Sequence, residues 1–86
     1  MRRLPILSLS DVRHRLRLSQ SEMTESLGLA SVNTYRAYEL GNRPLPVAVV
    51  VAVADLAQLG GRELAHLCRW AARVAVERRA GAGAGG

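Results

Sequence analysis

The sequence predicts an all-α domain of five helices. Serines suited to cap a helix N-terminus open successive segments at Ser10, Ser19 and Ser31, and apolar residues return at spacings of three and four. The one strand-like run, Val47 to Ala54, has no second strand with which to pair. Length fits one core, since dividing 86 residues would leave two units near the size that needs disulfides or metal. The single cysteine excludes a disulfide framework and a cysteine-based zinc site, and the two histidines lack metal-ligand spacing. No metal and no cofactor are expected.

Residues 1–8, with Arg2, Arg3 and Pro5, read as an N-terminal arm. Ser10 caps a first helix over about residues 9–17, with Asp11 in its first turn and Leu9, Val12 and Leu16 on one face. Ser19-Gln20-Ser21-Glu22 is a capping box opening a second helix, about 20–27, and Gly28 is its left-handed stop. Ser31 caps the third, about 32–40. Gly41-Asn42-Arg43-Pro44-Leu45-Pro46 is turn chemistry, and Pro46 suits the first position of a fourth helix over 46–59, read as fully buried on its valines and alanines. Gly60-Gly61 separates it from an amphipathic fifth helix that ends near Arg79, and the tail from Ala80 to Gly86 is expected to be disordered.

Twelve basic residues, all arginine, face seven acidic ones, giving +5 and a pI near 11.0, so a polyanion is the favoured partner and nucleic acid comes first. The longest apolar run, Leu45 to Ala54, falls short of the roughly 20 residues a membrane span requires. The start lacks the apolar region of a signal peptide, and a soluble, cytoplasmic chain is expected. His14 and His66 stand among arginines and belong to no enzyme constellation, so no catalysis is expected. Cys68 reads as a small buried hydrophobe.

The segment LSQSEMTESLGLASVNTYRAYELGNRP, Leu18 to Pro44, carries a family resemblance. Leu18-Ser19-Gln20 opens the second helix, Met23 and Leu27-Gly28 lie on its apolar face and end, and Tyr38-Glu39-x-Gly41 with Arg43-Pro44 closes the third. The chain resembles the helix-turn-helix domain of phage repressors, Cro proteins and related bacterial regulators, the XRE type, over residues 9–59. The resemblance implies a lambda-repressor-like fold whose third helix docks in the DNA major groove. It also implies an internal ion pair between Arg13 and Glu39 and a backbone-contacting role for Arg43, while Ser19, Gln20 and Ser31, at the positive helix N-termini where unpaired amides point outward, can themselves donate to phosphate oxygens. The turn is one residue longer than the family's, with Ala30 as the extra residue.

At about 100° per residue, with Tyr35 and Tyr38 turned to the core, Asn33 and Ala37 point directly outward, flanked by Arg36, Leu40 and Thr34. Asparagine pairs with adenine N6 and N7, arginine with guanine O6 and N7, and the methyl groups of Ala37 and Thr34 suit a thymine methyl. Asn33, Arg36, Thr34 and Ala37 are therefore the expected base contacts. Ser19, Gln20, Ser31 and Arg43, with Arg2 and Arg3 of the arm, are the expected backbone contacts.

On the fifth helix Arg62, His66, Arg69, Arg73 and Glu77 share one side, and the apolar arc over the rest exceeds the 100° or so that one domain needs to cover. Residues 60–79, through Leu67, Trp70, Ala71 and Val74, are expected to form a homodimer interface, and the dimer to bind an inverted-repeat operator in double-stranded DNA. A Cro-like repressor and the regulators beside anti-CRISPR genes both fit the size. The alternatives are an antitoxin whose fifth helix holds a toxin, and a protein-interaction module on the same fold.

Overall fold

The computed structural model describes residues 7–85. Among them the chain is all-α, with five helices and no strand: α1 (Leu9–Leu16), α2 (Gln20–Ser26), α3 (Val32–Leu40), α4 (Val47–Ala57) and α5 (Gly61–Gly85). Met1 to Ile6, and Arg2 and Arg3 with them, lie outside the described residues, as does Gly86.

The cap of α1 is Ser8, not Ser10. Ser8 Oγ accepts from the Asp11 amide at 3.0 Å while the Asp11 carboxylate accepts from the Ser8 amide at 3.1 Å. Asp11 stands three residues beyond Ser8, the spacing the reciprocal box requires, and Ser10 is too close to use it. Ser10 instead pairs its hydroxyl with the His14 ring at 3.4 Å. Residues 7 and 8 do not belong to the expected arm, because Leu7 is buried in the core and Ser8 caps the helix.

The next two helices start where the serines place them. Ser19 and Glu22 close their box at 3.1 and 2.8 Å, and Ser31 Oγ accepts from the Thr34 amide at 3.2 Å. Both following glycines take the left-handed conformation, Gly28 at φ 70 and Gly41 at φ 78. At Gly41 an added Cβ would stand 3.1 Å from the Val74 Cβ, so α3 ends hard against α5.

Pro46 is the cap of α4 and not its first residue, since its ψ of 149 is extended while its carbonyl accepts from Val49 and Val50. The helix stops at Ala57, where Gln58 turns left-handed at φ 53. The fully buried reading of α4 fails. Val49 and Val53 are buried one turn apart, while Val47 and Val51, at 78% and 60% exposure, face out because the body covers only one side.

Helix α5 runs past the expected end near Arg79, through Gly85, so Ala80 to Gly85 continue its backbone. Leu67 and Trp70 are buried, facing the domain's own core with Leu7, Leu9, Val12, Met23, Tyr35, Tyr38, Val49 and Val53, so these two are not free to form a dimer surface. Ala71 and Val74 are half-buried against the same cluster. Cys68, one position from Leu67 and about 100° around the helix, is exposed and not a core residue. No helix among the described residues is long and apolar enough to cross a membrane.

Candidate nucleic-acid interface

Helix α3 presents two contrasting faces. Tyr35 and Tyr38 are buried beneath it, whereas Asn33 and Arg36 are exposed, Thr34 and Ala37 half-buried, and Leu40 66% exposed with α5 in place. The outer strip offers an amide at Asn33, a guanidinium at Arg36, a methyl at Ala37 and an isobutyl at Leu40. Thr34 is drawn toward the helix start, its hydroxyl 3.1 Å from that of Ser31.

Under this strip lies a polar network that fixes α3 to the helices beneath it. Glu39 Oε2 accepts from Arg13 Nε and from the Tyr35 hydroxyl, each at 2.6 Å, and Glu39 Oε1 accepts from Gln20 Nε2 at 2.9 Å. The Arg13 and Glu39 side chains are 13% and 7% exposed, so the pair is largely but not wholly buried, and Arg13 Nη1 also donates to the Leu18 carbonyl at 3.0 Å. Among the described residues no buried side-chain polar atom lacks a partner.

The electrostatics follow from that geometry. Burial alone would raise the Glu39 carboxyl, but hydrogen bonds from Arg13, Tyr35 and Gln20, together with the Arg13 charge, hold it below the usual carboxylate range. Burial, and then the bond to Glu39, pushes the Tyr35 phenol well above its ordinary value, so it remains a donor. The bond to Glu39 raises Arg13 against the opposing effect of its burial.

Gln20, an expected phosphate contact, also has a role within the fold, with both ends of its side-chain amide engaged, since Gln20 Oε1 accepts from Arg36 Nε at 3.3 Å. Ser19 and Ser31 are exposed with their hydroxyls occupied in capping, and Arg43 is exposed in the loop after α3. The network thus ties Gln20, Arg36, Glu39 and Arg13 together, and Asn33 stands apart from it. Sequence reasoning missed Tyr35 as a ligand of Glu39, although the spacing of four was there to be seen. It also missed the Arg15–Glu63 pair at 2.5 Å, which joins α1 to α5. No local signal marks that pair, and its exposure limits its worth to about 1 kcal/mol or less.

Leu40, Gly41, Asn42, Val74 and Glu77 line a shallow groove where α3 meets α5. No group of three or more metal-ligating side chains occurs among the described residues. No protein-family model, no curated protein and no solved structure matches the chain.

Proposed function

We propose that the chain is a sequence-specific DNA-binding transcriptional regulator in which α2, the turn over residues 27–31 and α3 form a lambda-repressor-like helix-turn-helix. The observation that carries this reading is the exposed face of α3, with Asn33, Arg36 and Leu40 on a helix whose opposite face is pinned by Tyr35 and Tyr38. An α-helix with its side chains is about 10 to 12 Å across, which suits a major groove about 12 Å wide, and the nine residues of α3 give it about 14 Å to lay along that groove. Asn33 reads adenine, Arg36 reads guanine, and Ala37 with Leu40 meets thymine methyls. Arg43 adds a phosphate contact that positions the domain, and Arg2 and Arg3, outside the described residues, supply further positive charge for the same role.

Two copies bind an inverted repeat in this reading, their recognition helices one turn of DNA apart, about 34 to 36 Å. With Leu67 and Trp70 in the core, the face of α5 left for a second copy carries Ala65, Cys68, Ala72 and Val76, all exposed and spaced by three and four. Occupying its own promoter in the cytoplasm, the dimer excludes polymerase and makes its concentration the signal. Selection from random duplexes tests the reading. A recovered inverted repeat with steep salt dependence supports it, and recovery of no motif overturns it. Sedimentation as a monomer at micromolar concentration removes the dimer.

The exposed valines of α4, Val47 and Val51, favour a second reading in which the same domain is an antitoxin. Co-purification of an unrelated small protein, displaced by Val51→Asp, would establish it.

A further inference from the structure

We propose that Gln20 is a positioning residue for Arg36, fixing which edge of the guanidinium faces outward. The inference rests on the DNA-binding reading above and deepens it by naming what sets specificity at one base pair. Gln20 Nε2 donates to Glu39 Oε1 at 2.9 Å, and Gln20 Oε1 accepts from Arg36 Nε at 3.3 Å. The polarity of this bridge is dictated by its ends. A carboxylate only accepts and a guanidinium only donates, so the amide nitrogen must face Glu39 and the amide oxygen must face Arg36. A flipped amide would set acceptor on acceptor and donor on donor.

The bridge is anchored at its inner end, because the other oxygen of Glu39 is held by Arg13 and Tyr35. A long exposed arginine otherwise explores many rotamers and offers either its Nε–Nη edge or its Nη–Nη edge to a partner. With Nε occupied, the Nη–Nη edge remains, two parallel N–H groups that match O6 and N7 of guanine. Gln20 thereby selects the end-on approach and lowers the loss of freedom on binding. A glutamine that merely braced α2 against α3 would affect stability and leave base discrimination alone.

Gln20→Met tests the assignment, since methionine has similar length and neither donates nor accepts strongly. Affinities of wild type, Gln20→Met, Arg36→Ala and the double variant are measured on the selected duplex and on versions with each G·C pair replaced in turn. The expected result is a loss of about tenfold in discrimination at one G·C pair in Gln20→Met, the same pair that Arg36→Ala affects, with no further loss in the double variant. Circular dichroism establishes that each variant is folded, and if Gln20→Met is not, Gln20→Asn, which keeps the amide but cannot span the gap, replaces it. A uniform loss over all duplexes overturns the proposal in favour of a phosphate contact, and unchanged ratios overturn it in favour of a brace. A wild-type protein that selects no sequence overturns the DNA-binding reading itself, and the positioning role with it.

Discussion

Arg13 of α1 and Glu39 of α3, 26 positions apart in the chain, meet at 2.6 Å in a largely buried ion pair on which Tyr35 and Gln20 also converge. Removing one partner of such a pair leaves the other charge buried and alone. A fully buried pair broken this way costs about 3 to 5 kcal/mol, and because this one is only part-buried Glu39→Ala is expected to destabilise the domain by about 2 to 4 kcal/mol, still a large share of the stability of any chain this small. Urea denaturation followed by circular dichroism measures it, and a loss under about 1 kcal/mol would contradict the buried-pair account.

The same pair sets a dependence on acid. Burial works to raise the Glu39 carboxyl, and its hydrogen bonds outweigh that to leave it lowered, so the unfolded chain binds this proton more readily than the folded one. The contribution is complete above the ordinary value of 4.5 and disappears as pH falls through the lowered folded value. Thermal midpoints should drop in that window, and Glu39→Gln, less stable at neutral pH, should show a shallower drop.

Gly41→Ala should cost about 1 to 2 kcal/mol from the left-handed backbone at φ 78 alone, with crowding of Val74 at 3.1 Å adding to it. Gly28→Ala is the control, with φ 70 and nothing within 4 Å of its Cβ. Equal losses in the two variants would mean that the α3–α5 approach carries no weight.

Arg36→Ala removes an exposed side chain and should leave the melting temperature nearly unchanged while relaxing preference at one base pair by about 1 to 3 kcal/mol. Arg43→Ala should instead weaken binding to all duplexes alike and lower the salt slope by about one. Titrations on matched and mismatched duplexes separate the two, and an Arg36→Ala protein with unaltered affinity and preference would refute the base-contact assignment.

What could be read in the sequence was local. Ser19, Glu22 and Gly28 define α2 because caps and left-handed stops act over a few residues, and the wheel of α3 separated Tyr35 and Tyr38 from Asn33 and Arg36 for the same reason. Ser8 is just as local a signal, since it stands three residues before Asp11, whereas Ser10 beside Asp11 only resembles a cap. The errors at Leu67, Trp70, Cys68 and the outer valines of α4 share another origin. An apolar arc shows that a helix has something to bury, but which part of the arc the body covers depends on packing between distant segments. The role of Gln20 was hidden likewise, since its partners lie 16 and 19 positions away.

Cys68 is the one sulfhydryl in the chain, and it points into solvent from the side of α5 turned away from Leu67 and Trp70. A spin label or fluorophore placed there needs no prior mutagenesis and leaves the α3 strip untouched. Under oxidising storage the same atom will couple two molecules covalently, so any apparent association must be measured with reductant present before it is credited to the helix.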